Sequence, residues 1–256
     1  MEFITMPTVL RARDFHIYTA DGRRFVDLWL AGGKALLGHK PSSLVHELKN
    51  SAERGLFVAF PHPIEKKCIQ ALKALFPHKI FRFFANEERL HCTLKKWNCC
   101  DTVDEPVFMQ KNSTVALWRP GIEDKPRLIL IPIIPFPLAP AIAVLDPSLD
   151  FPDSEPIAPF LLAGTTRSMY NLIATFPTRP IFPRLNAVFT QSKWNKNGIY
   201  FYRRSCDKEQ YSILFKHFLA YGFVLPPEQN IPAIIPGILS AGEEATLAKL
   251  IMFEPS

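Results

Sequence analysis

The sequence predicts a mixed α and β protein, on two observations. At both ends of the chain, short runs of β-branched and aromatic residues alternate with stretches whose apolar residues recur at helical spacing. Between those ends, from Pro120 to Pro183, proline is dense enough to confine most of the backbone to extended and looped conformations. A chain of 256 residues, 48% hydrophobic and 21% charged, can bury a substantial core and reads as an ordinary globular protein.

Taken in order, His16–Asp27 reads as a β-hairpin, with Asp21–Gly22 as the tight-turn pair. Gly32–Gly33 and Gly38 then mark backbone that must bend or approach closely. Ser42 or Ser43 offers an N-cap to a helix carrying Leu44, Val45, Leu48 and Ala52 and ended by Gly55. A second helix, Ile64–Leu75, stops before Pro77. Lys79–Phe84 is a short strand candidate and Glu87–Trp97 a helix. Val115–Trp118 and Leu128–Ile134 read as buried strands, the second followed by an extended apolar loop, and one helix is expected near Arg167–Phe176. Asn186–Gln191 and Gly198–Arg203 read as two strands joined by the polar turn SKWNKN. Lys208–Tyr221 is a helix closed by Gly222, with Tyr211, Leu214, Phe215, Phe218 and Leu219 on its apolar face. Phe223–Leu225 is a short strand, and Ser240 with Glu243 three residues on forms the capping box of a last helix.

Charge and motifs exclude several function classes. The net charge of +6 comes as scattered basic pairs such as Arg23–Arg24 and Lys95–Lys96, without the run or aromatic-studded stripe that tracks a nucleic-acid backbone. Leu128–Leu145 is uncharged and long enough for a bilayer, but Pro132, Pro135, Pro137 and Pro140 make it a poor membrane helix. No secretory pattern opens the sequence, and Cys68, Cys92, Cys99, Cys100 and Cys206 read as free thiols, which together place the protein in the cytoplasm. His91–Cys92 with Cys99–Cys100 fits no paired zinc-ligand spacing, so no metal is expected. His39 reads as a structural loop histidine, and Asp150, Asp153 and Glu155 as solvated carboxylates.

Two strings carry a resemblance. DGRRFVDLWLAGGKALLGHKPSSLVHELKNSAERG, with Asp21–Gly22, Phe25, Asp27, Gly32–Gly33, Leu37–Gly38–His39 and Pro41, resembles the N-terminal region of class III aminotransferases, especially the glutamate-1-semialdehyde aminomutase branch. KWNKNGIYFYRR, with the later YSILFKHFLAYGFVLPPEQNIPAIIPGILSAGEEATLAKL, resembles that family's small domain. The resemblance implies a reduced fold-type I pyridoxal-phosphate-transferase architecture in a chain shorter than working members. The implied small domain and N-terminal segment comprise 1–79 and 183–256, and 80–182 form a cut-down large domain.

It also implies where cofactor chemistry should sit. The family's phosphate turn matches Ala85–Asn86–Glu87–Glu88, where two carboxylates would repel a phosphate. The strand end that should carry an Asp for the pyridine nitrogen matches Val115–Trp118, which runs into Arg119–Pro120. The Schiff-base lysine falls on Leu130, Ile131, Pro132 or Ile133, and Lys125 precedes the strand. PIAPFLLAGTTRS resembles the segment whose Gly-Thr reaches the partner's cofactor phosphate, so Gly164 and Thr165, with Thr166 and Arg167 beside them, are the candidate cofactor- or anion-binding residues. The Asn-Pro that usually follows is absent.

The expectation is therefore a non-catalytic aminotransferase-like homodimer that binds a partner or a small anionic ligand, with no catalytic residues and no cofactor. The alternatives are a divergent pyridoxal-phosphate-dependent aminotransferase or aminomutase, and a structural subunit that pairs with a full-length aminotransferase.

Overall fold

The computed structural model describes residues 6–97, 114–122, 127–176, 180–203 and 206–254. By its contacts the chain divides into two compact units, residues 1–40 with 178–256, and residues 41–177.

The second unit is built on a four-stranded sheet of β4 (Ile80–Phe84), β7 (Ala141–Leu145), β6 (Ile129–Pro132) and β5 (Val115–Trp118), in that spatial order. β7 is antiparallel to both neighbours and β5 is parallel to β6, so β4, β5 and β6 all run the same way. Every residue of β7 is buried. Ile142 and Val144 join one apolar cluster with Leu44, Cys68, Leu72 and Met169, and Ala141, Ala143 and Leu145 join another with Leu90 and Leu94. A strand covered on both faces needs apolar residues at every position and shows no alternation. That is why AIAVL, expected as loop, is an interior strand.

One of these clusters draws on α1 (Ser42–Glu53), α2 (Ile64–Leu75) and α4 (Pro159–Thr175), and the other on α3 (Glu87–Lys96). α1 and α2, grouped with the chain ends in the sequence reading, pack here against α4. The expected serine cap on α1 does not form. Pro41 occupies the N-cap position, and Ser43 Oγ instead bonds the Asn171 amide, 3.0 Å from its Oδ1. α4 starts eight residues before the expected Arg167, because Pro159 at its first turn has its φ already set for a helix.

The first unit holds a sheet of β1 (Val9–Arg13), β2 (His16–Thr19), β3 (Arg24–Asp27) and β10 (Phe223–Val224), and a smaller one of β11 (Ala233–Ile234), β9 (Tyr200–Arg203) and β8 (Trp194–Asn197). β2 and β3 form the expected hairpin, with Gly22 at φ 80° in its turn. α6 (Lys208–Ala220) and α7 (Ala241–Ile251) match their expected positions, and α7 carries the Ser240–Glu243 capping box. α5 (Pro183–Phe189) replaces the strand expected at Asn186–Gln191. Leu185 and Phe189, one helical turn apart, are both buried, a spacing that a short apolar run does not distinguish from a strand. The strand itself, β8, begins inside the segment read as a turn. After β3 the backbone makes a left-handed turn at Leu30–Gly33, with φ of 48° and 51° at Leu30 and Ala31, a conformation that crowds any Cβ. Asp27 Oδ1 braces it by accepting the N–H groups of Trp29 and Leu30 at 2.8 and 2.9 Å. Asp27 Oδ2 lies 3.0 Å from His39 Nε2, so His39 has the structural role expected of it.

Candidate functional site

Because β4, β5 and β6 run the same way, their carboxyl ends open on one side of the sheet. Ligand sites of open α/β sheets form there, where helix N-termini and loops converge. Three of the positions singled out from the sequence lie at these ends.

The first is the turn from β4 into α3. Asn86 caps the helix, its Oδ1 accepting the Arg89 N–H at 2.9 Å. Glu155 supplies the other contact. Its Oε2 accepts the Ala85 N–H at 2.9 Å, and its Oε1 accepts from both Nε and Nη2 of Arg89 at 2.8 Å. The Ala85 N–H, and after it the Arg89 guanidinium, hold the Glu155 carboxyl below the ordinary glutamate value despite partial desolvation. Glu155 is therefore not the freely solvated carboxylate that its Pro-rich loop predicts. Its side chain is 24% exposed and sits where the turn presents donors. The neighbouring backbone explains how it is held: Pro152–Glu155 lie along the outer edge of β4. Glu155 N donates to Phe83 O at 2.8 Å, Ser154 Oγ accepts the Phe83 N–H at 3.1 Å, and Arg82 Nε donates to Pro152 O at 3.1 Å. β4 ends the sheet, and this strap satisfies the edge that further strands would otherwise cover.

The second position is the end of β5, where Arg119 is buried at 4% exposure. The third is the end of β6, where Pro132, Ile133 and Ile134 are apolar and no lysine follows before Lys193. Lys79 lies at the opposite end of the sheet, its Nζ 3.2 Å from Asp146 Oδ2. Lys125 lies outside the described residues.

At the positions where the resemblance places pyridoxal phosphate, these residues supply neither its lysine nor the ring-nitrogen carboxylate. A phosphate at the α3 turn would meet Glu87 and Glu88 in the first helical turn and the Glu155 carboxylate on the Ala85 N–H. At the end of β5, where the resemblance implies a carboxylate for the ring nitrogen, the chain has the buried Arg119.

Gly164, Thr165, Thr166 and Arg167 are not at a helix N-terminus. They lie in the second and third turns of α4. Pro forces the residue before it out of the helical region, so a chain lacking the usual Asn-Pro has no stop here, and the helix runs through. Thr165 and Thr166 bond back onto their own helix, Oγ1 donating to Leu161 O at 2.8 Å and to Leu162 O at 2.6 Å. Gly164 is a packing glycine: a Cβ there would come within 2.6 Å of the Phe136 ring and 3.0 Å of Leu48. Arg167 is half-exposed, 3.9 Å from Glu47. The apolar stretch Leu128–Leu162 is mostly interior: Ile129, Ile131, Ile134, Phe136 and Leu162 are all buried. The exposed apolar run lies elsewhere in this unit, at Phe57, Val58 and Phe60, which are 58%, 57% and 69% exposed.

Among the described residues, no helix is long and apolar enough to cross a membrane, and no three His, Cys, Asp or Glu side chains are placed to hold a metal. Cys99 and Cys100 lie outside those residues.

No protein-family model matches the chain. An uncharacterized protein of Borreliella burgdorferi is 24% identical over 272 residues, spanning 96% of this chain and 90% of its own length. The glutamate-1-semialdehyde 2,1-aminomutase of Thermus thermophilus is 29% identical over 73 residues, spanning 28% of this chain and 17% of the enzyme. Among solved structures, Plasmodium falciparum ornithine delta-aminotransferase superposes with a TM-score of 0.70 at 13% identity, covering 98% of this chain and 94% of that one. The chain therefore has the fold of the aminotransferases, as the resemblance implied.

Proposed function

We propose that this chain is a non-catalytic aminotransferase-like protein, a pseudoenzyme that acts by binding a partner or a small anionic ligand. The observation that carries the reading is Glu155: a carboxylate of the chain's own takes the Ala85 N–H and the Arg89 guanidinium at the turn that resembles the family's phosphate cradle. The absent lysine after β6 and the buried Arg119 after β5 point the same way. A divergent pyridoxal-phosphate enzyme would need a lysine delivered from elsewhere and a different anchor for the phosphate. The test is the absorbance spectrum of the purified protein with pyridoxal phosphate. The reading expects the sum of the two separate spectra, and a new visible band saturating at one equivalent would contradict it.

Of the two kinds of ligand, a protein is favoured by the exposed run Phe57–Phe60, since a contiguous apolar patch of this kind marks an association surface. We take the partner to be a second copy of this chain, with a full-length aminotransferase as the alternative. Light scattering should report a dimer at micromolar concentration, and Phe60→Asp should yield monomer with an unchanged circular dichroism spectrum. Monomer in the wild type would remove the second-copy reading and leave the heteromeric one.

A further inference from the structure

The β8–β9 hairpin buries two hydrogen-bond donors that nothing described above uses. Trp194 and Arg203 are register partners across the hairpin, so their side chains leave the same face of the ribbon. Trp194 is 3% exposed and the Arg203 side chain 6%. Arg203 Nη2 donates to Glu254 Oε2 at 2.5 Å, and Lys193 Nζ lies 3.0 Å from the same oxygen. The other prong of the fork, Nη1, is buried and finds no acceptor among the described residues, and neither does Trp194 Nε1. The guanidinium carbon is 5.9 Å from the centre of the indole ring.

Buried polar groups in folded proteins are almost always paired, and an orphan calls for an explanation. Both orphans here are obligate donors: an indole N–H cannot accept, and neither can a guanidinium. What the place lacks is therefore an acceptor. Charge narrows its chemistry. Among the described residues, Lys193 and Arg203 both pair with one carboxylate, Glu254, so these three side chains together carry one surplus positive charge. A water would accept the two bonds and leave that charge, whereas an oxyanion answers both. The guanidinium fork is suited to it, being planar, permanently charged and already braced on its other prong.

We propose that the hairpin forms a site for a small oxyanion of the carboxylate or phosphate class, held by Arg203 Nη1 and Trp194 Nε1 and braced by Glu254. None of the residues behind the non-catalytic reading takes part, so the two stand or fall separately.

The test is nitrogen–proton NMR of the full-length protein titrated with inorganic phosphate and with acetate, against sodium chloride at matched ionic strength. The Trp194 indole signal is the one missing from the spectrum of Trp194→Phe, which keeps an aromatic ring and deletes the N–H. In the wild type this signal should move saturably with phosphate or acetate and stay still with chloride. Trp194→Phe, followed on the Arg203 amide, should weaken the affinity about tenfold, the worth of one hydrogen bond to a charged group. Arg203→Lys should abolish the saturable shift while the dispersion of the spectrum persists. An indole signal that ignores both anions, or answers chloride equally, overturns the proposal, as does unchanged affinity in both variants.

Discussion

Two stretches of this chain resemble phosphate contacts of the aminotransferases, and they depart from them in opposite ways. At the α3 turn the backbone arrangement is present: a strand ends, two residues turn, and a helix begins. The chemistry is reversed there, since the positions that should be small and neutral are Glu87 and Glu88, and a third carboxylate, Glu155, accepts from the turn. In α4 the residues are present, with Gly164 and Thr165 in place, but the geometry is gone. Their backbone lies inside a continuous helix and the threonine hydroxyls serve its own carbonyls. An anion cradle needs unspent N–H groups as well as room and charge balance. At the α3 turn the Ala85 and Arg89 N–H groups are spent on Glu155 and Asn86 as well as facing carboxylates, and in α4 Phe136 and Leu48 fill the space beside Gly164.

The largest effect should come where the α4 glycine is a packing residue. Gly164→Val pushes side-chain atoms into Phe136 and Leu48, and should cost about 3 kcal/mol in urea unfolding, the upper range for overpacked cores. If Gly164 instead lined a ligand site, the substitution would leave stability nearly unchanged.

Glu155→Ala should cost about 1.5 kcal/mol at neutral pH, the worth of a hydrogen-bonded charged group. The sign of its pH dependence follows from the direction of the shift. The folded-state pKa of Glu155 is lowered, so its contribution is fully present above the ordinary glutamate value of about 4.3 and is lost as pH falls through the folded value. The stability gap between wild type and Glu155→Ala should therefore be flat near neutrality and close in acid. A gap that widens in acid would mean that Glu155 is not the charged partner of Arg89.

Arg167→Ala should change stability by less than about 0.5 kcal/mol, because a half-exposed ion pair at 3.9 Å is worth little. In a phosphate titration followed by NMR, the amides of Thr165 to Ser168 should not shift. A saturable shift there that Arg167→Ala abolished would restore an anion site to this segment.

What was legible in the sequence was local. The hairpin around Asp21–Gly22, α2 between its flanking prolines, and the α7 capping box each depend on residues within a few positions of one another. β7 was not legible, because burial on both faces erases the alternation that marks a strand, and the prolines before it imitate a loop. Nor was the role of Glu155. Its partners Ala85 and Arg89 lie 70 and 66 residues away, and only the fold brings the strap to the edge of β4. The missing lysine was readable because it is a matter of composition: no residue between Arg127 and Ser192 is a lysine. The burial of Arg119 was not, since the sequence fixes its identity and the packing fixes its exposure.

The central claim is that no lysine of this chain forms a defined covalent attachment to pyridoxal phosphate. It is tested most directly by incubating the protein with one equivalent of pyridoxal phosphate, reducing with borohydride, and measuring the intact mass and then the modified peptides. The account predicts mostly unmodified protein, with trace adducts scattered over exposed lysines. A one-to-one adduct on a single lysine, Lys125 included, would contradict it.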